Sequence, residues 1–381
     1  MRIGFTTGSC SAAAAKAAAY MLLSGKEKHE ISIQTPKGLE YTPEILDIKR
    51  SEREVSCAVR KDGGDDPDET TGALIYATVC FLEDVEMLPS SVSEKQKVGS
   101  RIILEGGEGV GCVTKPGLDQ PVGNAAINSV PRQMILEEVQ EVMDMLDYTG
   151  MLRVVISVPE GKAIAEKTFN PRLGIVGGIS ILGTSGVVEP MSKQALLDTI
   201  QVELNQKKAL GMENIVIAPG NYGLDFMRET YGFDLNLAVK CSNFLGTTLD
   251  QIGTLGFQKV LLCGHIGKLI KVSGGIMNMH SQEADCRIEL MISAGLRCGM
   301  SLESLQEMQE CISTDAAYEI VKREGVETEF MSIVMEKIQD YLKKRAAGRF
   351  EIECIVFSNE YGLMGKTDGA EDLIYEIKQF G

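Results

Sequence analysis

The sequence predicts a protein of α/β and α+β class. An N-terminal α+β domain is expected over residues 1–150, followed by a Rossmann-like α/β domain with a mostly parallel sheet over 151–381. Three observations carry this. The 381 residues exceed one ordinary core, since single cores stop growing at about 250–300 residues. The first 150 residues mix strand-like alternation with helical stretches in no fixed rhythm. From Met151 onward, short apolar runs alternate with helical stretches, the pattern of βαβ units.

The elements follow in order. Residues 11–23 form an Ala-rich helix, with the hydroxyls of Thr6, Thr7 and Ser9 available as caps. Alternation predicts strands over 31–34 and 55–59. A helix is expected over 70–82, a strand over 101–104 and a helix over 134–146. In the second part, strands are expected over 153–158, 173–182, 215–218, 235–239 and 259–263. Helices are expected over 192–210, 224–231 and 245–255. The last 80 or so residues read as helical, with one strand over 351–357.

Charge narrows the partners. Against 38 Lys+Arg stand 54 Asp+Glu, a net −16, which opposes general binding to nucleic acid or anionic membranes. With no Trp and 6% aromatics, a base-stacking surface is not expected. The longest uncharged run, 173–188, is rich in Gly, Ser and Thr and falls short of the ~20 apolar residues a span needs. Lys16 interrupts an Ala run that otherwise looks like a signal peptide. Ten cysteines stand singly with no CxxC pair, which points to reduced thiols in a cytoplasmic protein and to no zinc or redox motif. The expected partner is a small molecule, with a homo-oligomer left open.

The chemistry is positional. Four expected strands run into loops of small and polar residues: Gly183-Thr184-Ser185-Gly186, Pro219-Gly220-Asn221-Tyr222-Gly223, Lys240-Cys241-Ser242-Asn243 and Gly264-His265-Ile266-Gly267-Lys268. In a parallel sheet all four lie at the carboxyl edge, where open α/β sheets bind ligands. The loop Glu105-Gly106-Gly107-Glu108-Gly109-Val110-Gly111 is no dinucleotide fingerprint, because Pro116 follows where a helix must open. It reads as a backbone loop that could wrap a planar anion, with Lys115 behind it, or as a glycine-rich hairpin. Asp65-Asp66-Pro67-Asp68-Glu69-Thr70 reads as a hard-metal site or as a solvated turn capping the next helix. His265 and His280 lie near Lys268, Lys271 and Arg287. No Gly-x-Ser-x-Gly elbow supports a serine hydrolase.

Several blocks converge. They include Gly4-Phe5-Thr6-Thr7-Gly8-Ser9-Cys10, Gly64-Asp65-Asp66-Pro67-Asp68, Gly107-Glu108-Gly109-Val110-Gly111, and Thr114-Lys115-Pro116-Gly117-Leu118. Ala126-Ile127-Asn128 leads to Pro131-Arg132, and a long block runs from Thr168 through Pro171-Arg172 to Gly186. Gly220-Asn221-Tyr222-Gly223, Ser242-Asn243-Phe244, Gly264-His265-Ile266-Gly267-Lys268 and His280-Ser281 complete the series. In order and number they resemble the cobalt-precorrin-5B C(1)-methyltransferases, the CbiD type of anaerobic cobalamin biosynthesis, up to about residue 300. Two positions depart from that pattern: Thr71 stands where the family has a histidine, and Met279 where it commonly has threonine.

The resemblance implies methyl transfer from S-adenosylmethionine to C-1 of cobalt-precorrin-5B, giving cobalt-precorrin-6A. Cobalt enters only inside the substrate, and no protein metal is expected. The implied substrate-binding residues are Gly107, Gly109, Gly111, Lys115, Arg132, Lys268 and Arg287. The implied donor-binding residues are Gly183, Thr184, Ser185, Gly186, Asn221 and Tyr222, with Glu189 or Asp225 for the ribose. Asp65, Asp66, His265 and His280 are the catalytic candidates. The alternatives are a non-catalytic corrinoid carrier and an α/β oxidoreductase.

Overall fold

A computed structural model describes residues 2–66, 68–82, 101–168, 170–188 and 193–380. The chain forms two compact units, Met1–Lys193 and Gln194–Gly381.

Unit one is organised around the helix Thr7–Ser24. The Thr6 hydroxyl caps it by accepting from the Ser9 amide at 3.2 Å, and Gly25 ends it in the left-handed region. The helix is buried on nearly every side, and its alanines let it press against strands Glu54–Arg60 and Leu74–Leu82 and helix Ser129–Met145. The sheet beneath runs in the spatial order Leu46–Arg50, Glu54–Arg60, Leu74–Leu82, Met151–Ser157, Ile102–Gly106. Its neighbours are antiparallel except the last pair, which is parallel. The helix Ser129–Met145 lies in the crossover between those two parallel strands.

Three expectations are corrected in this unit. The helix expected over 70–82 is the strand Leu74–Leu82. Ile75, Ala77 and Val79 are fully buried while their neighbours are partly exposed, a period of two. The acidic turn before it therefore caps no helix. The run 173–182 is not a strand of the parallel sheet. Its Ile175–Val176 pairs antiparallel with Cys112–Val113, and single bridges join Val110 to Ile179 and Ile127 to Ile181. The division of the chain falls after residue 193 rather than at 150, because Met151–Ser157 pairs along its whole length with Leu74–Leu82.

In unit two the strands are ordered Ala238–Lys240, Asn214–Ala218, Lys259–His265, Glu351–Ser358, Gly362–Lys366. The first four are parallel and the last is antiparallel. The strand expected over 235–239 begins as a 3-10 turn, Leu235–Leu237. The chain enters the sheet at Asn214–Ala218, steps to one side, then crosses to the other. The order reverses between Asn214–Ala218 and Lys259–His265, and a crevice opens beyond the carboxyl ends of strands at such a place. The class is mixed α/β, with parallel and antiparallel pairing in both units.

Candidate functional site

Three of the four expected loops meet at the carboxyl edge of the unit-two sheet. Asn221 and Tyr222 open the helix Asn221–Tyr231, and Tyr222 is 68% exposed. Lys240 Nζ donates to Asn221 Oδ1 at 3.4 Å. Lys268 Nζ donates to the Pro219 carbonyl at 3.3 Å and to Asn243 Oδ1 at 3.0 Å, tying all three loops together. The Met279 amide donates to the Asn243 carbonyl at 2.9 Å and brings in the segment bearing His280. Buried Lys271 straps that segment from below, donating to the carbonyls of Met279 at 3.2 Å and Ala284 at 2.8 Å.

The two histidines share one arrangement. Nδ1 of His265 accepts the Gly267 amide at 3.0 Å, and Nδ1 of His280 accepts the Gln282 amide at 3.2 Å. A neutral imidazole that accepts at Nδ1 carries its proton on Nε2, so each ring presents an N–H donor rather than a base. Burial lowers the pKa of His265, with Asp315 opposing, and favours that neutral form. Arg287 is held by Asp285 in a bidentate pair of 2.5 and 3.0 Å.

The fourth loop lies elsewhere. The Gly186 carbonyl accepts from Ser9 Oγ at 2.6 Å and the Thr6 amide at 3.2 Å, and the Ser185 carbonyl accepts the Lys37 amide at 3.1 Å. Gly183, Thr184, Ser185 and Gly186 thus belong to unit one, beside the start of the first helix. The structure does not join them to Asn221 and Tyr222 on one sheet edge, because the run before them pairs within unit one.

The glycines of 107–111 answer a packing demand. The Gly107 amide donates to Ile156, the Gly111 amide to Ile179, and the Gly109 carbonyl accepts from Ile179. Gly109 has φ +69°, and a Cβ there would stand 1.7 Å from the Val158 carbonyl oxygen. Lys115 Nζ donates to the Arg172 carbonyl at 3.2 Å. Thr114 also pins this turn, through two bonds to the Gly174 carbonyl. Arg172 itself is exposed, and its guanidinium has no partner among the described residues. Arg172 was not among the residues expected from the sequence, although it lies in the block 168–186; an Arg beside Pro171 in a glycine-rich turn was the available signal.

Arg132 differs from the other expected cations. It is half-buried in the first turn of the helix Ser129–Met145, beside Pro131, which packs on Gly8. Its Nε and Nη1 are buried with no hydrogen-bond partner among the described residues. Burial lowers its pKa, with Asp119 opposing. Asp119 turns its Oδ1 to Ser129 instead, at 2.7 Å from the amide and 2.8 Å from the hydroxyl. Lys115, Lys268 and Arg287 have found protein oxygens, whereas Arg132 keeps two desolvated donors, an arrangement that calls for an anion.

In the acidic block, exposed Asp65 accepts the Arg2 amide at 2.6 Å, and the Asp66 amide donates to Gly63 at 3.3 Å. The enclosed carboxylate is that of Asp68, bound by Lys61 and by Thr70. Of the two ribose candidates, Glu189 lies outside the described residues, and Asp225 pairs with Arg228 at 2.8 Å. Among the described residues no group of three or more His, Cys, Asp or Glu is placed to hold a metal. No described helix is long and apolar enough to cross a membrane.

The site therefore consists of a cation-tied sheet edge in one unit and, in the other, a guanidinium with two desolvated donors in a mixed α/β chain. Comparison with known proteins makes this specific. The CbiD family description matches residues 1–190, and that of the CbiD C-terminal domain matches 278–368. The chain is 44% identical over 382 residues to the cobalt-precorrin-5B C(1)-methyltransferase of Ruminiclostridium cellulolyticum, covering 99% of this chain and 95% of that one. It is 43% identical to the enzyme of the same name from Alkaliphilus metalliredigens, covering 100% and 96%. A crystal structure of cobalamin biosynthesis protein (cbiD) from Archaeoglobus fulgidus is 25% identical with a TM-score of 0.38, covering 75% of this chain and 84% of that chain. The chain belongs to the CbiD family.

Proposed function

We propose that this chain methylates C-1 of cobalt-precorrin-5B to give cobalt-precorrin-6A in the anaerobic cobalamin route, in the cytoplasm, with S-adenosylmethionine as methyl donor. The observation that carries this is identity of 44% across nearly the full length of both chains with an enzyme of that name. The carrier and oxidoreductase alternatives have no comparable support.

S-adenosylmethionine supplies a sulfonium methyl: the ring carbon attacks it, the carbon–sulfur bond breaks, and the electron pair stays on sulfur. The chain's task is to align the two reactants, at about 3–3.5 Å between reacting atoms, and to exclude water. No covalent nucleophile is needed, which suits a site whose histidines present N–H groups. The substrate carries carboxylate side chains, and the unpartnered donors of Arg132 suit one of them. Arg172, with Lys115 holding its backbone, suits another. His265 and His280 are proposed to donate through Nε2. Exposed Asp65 and partly buried Asp66 are proposed to take up a proton released after transfer. The donor is assigned to the unit-two edge at Asn221 and Tyr222, in a Rossmann-like use of a parallel sheet.

The test is incubation with cobalt-precorrin-5B and S-adenosylmethionine under reducing, anaerobic conditions, followed by mass analysis. Gain of one methyl is expected, and no gain would overturn the proposal.

A further inference from the structure

We infer that Lys268 reads the carboxylate of the methyl donor's amino-acid end; this rests on the proposed seat of the donor at the unit-two edge. An ammonium has three N–H groups. In Lys268 one goes to the Pro219 carbonyl and one to Asn243 Oδ1, and the third has no partner among the described residues. Both partners are neutral oxygens, so no carboxylate among the described residues balances the charge. Lys268 is half-buried, and burial pulls its pKa down. A partly desolvated cation without a counter-charge is costly unless an anion completes it.

Position supplies the second argument. Lys268 follows the strand Lys259–His265, and Pro219 follows Asn214–Ala218. These two strands are adjacent, and the strand order reverses between them. The Lys268–Pro219 contact therefore spans the crevice in which such sheets seat ligands. Exposed Tyr222 stands three residues beyond Pro219 and offers an aromatic face for the adenine. Lys268 was expected from the sequence to grip the macrocycle. Its placement points to the donor, with a second duty as the residue that positions the three loops.

The experiment is calorimetric titration of the whole protein with S-adenosylhomocysteine and with its decarboxylated analogue. Wild type should favour the carboxylated ligand by roughly 10–100-fold, the range of one charge-assisted hydrogen bond. Lys268→Gln, which keeps a donor for Pro219 but removes the charge, should shrink that preference to under about 3-fold. Asn243→Ala should weaken both ligands alike, because it disturbs only loop positioning. Wild-type binding without a carboxylate preference would overturn the inference and needs no variant. So would a preference retained in Lys268→Gln. If neither ligand bound wild type, the seat of the donor would fall as well.

Discussion

Lys61, only 2% exposed, sets its ammonium 2.5 Å from Oδ2 of Asp68, whose carboxylate also accepts from the amide and hydroxyl of Thr70. Burial alone would raise the pKa of Asp68, but Lys61 and Thr70 outweigh it and hold the group below its ordinary 3.8. This pair anchors the turn against which the N-terminal strand lies, where a Cβ on Gly4 would stand 2.2 Å from the Gly63 carbonyl carbon. Removing one partner strands the other charge in the interior. Asp68→Ala should cost about 3 kcal/mol in urea unfolding, and Asp65→Asn under about 0.5 kcal/mol. The folded-state pKa is depressed, so the stabilisation is present above pH 3.8 and disappears as pH falls through the lower folded value.

Arg132 separates affinity from stability. A half-buried guanidinium whose Nε and Nη1 lack partners among the described residues is a burden on the ligand-free fold. Arg132→Met should leave stability unchanged or raise it by about 1 kcal/mol. It should weaken corrinoid binding by roughly 10–100-fold. Calorimetric affinity for S-adenosylhomocysteine should stay the same. Loss of stability with unchanged corrinoid affinity would make Arg132 a purely structural residue.

His265 supplies a pH dependence. Its folded pKa lies below the ordinary 6.5, chiefly through burial. Below pH 6.5 the unfolded chain binds more protons than the folded one, so stability falls as pH drops through that value and is full above it. Protonation would also turn the Nδ1 that accepts the Gly267 amide into a donor, ending that bond. Melting temperature should drop between pH 7 and 5.5 in wild type and drop less in His265→Gln. Equal slopes in the two proteins would refute this account.

Gly109→Ala tests why the glycine loop exists. The new methyl would meet the Val158 carbonyl at 1.7 Å, and the residue would have to keep φ +69°. The backbone must shift, and a loss of about 3 kcal/mol or more is expected. Gly177→Ala, where a Cβ meets nothing within 4 Å, carries only the strain of φ +87° and should cost about 1 kcal/mol. Comparable losses at the two positions would remove the packing explanation.

Much of unit two was legible because its strands are short apolar runs and its helices are punctuated by Gly232 and Gly256, both left-handed at helix ends. Leu74–Leu82 was misread because both of its faces carry apolar side chains, Leu74, Tyr76 and Cys80 on one and Ile75, Ala77 and Val79 on the other, which hides a period of two. The β-branched and aromatic content was the signal that should have decided it. The residue 150 boundary failed for a non-local reason: the partner of Met151–Ser157 lies about 75 positions earlier. The site was legible as a set of loops but not as a set of roles. Nothing in the sequence shows that Lys115 and Lys268 spend hydrogen bonds on carbonyls while Arg132 keeps its own free.

The buried first helix has a consequence for the order of events during synthesis. Ala-rich segments turn helical readily by themselves. This one emerges before the neighbours it packs on, which include Leu74–Leu82 and Ser129–Met145. It also touches Met151–Ser157, so its partners are incomplete until residue 157 at least has left the ribosome. Until then an apolar rod stands only partly covered, and unit one closes late around a piece that was ready early.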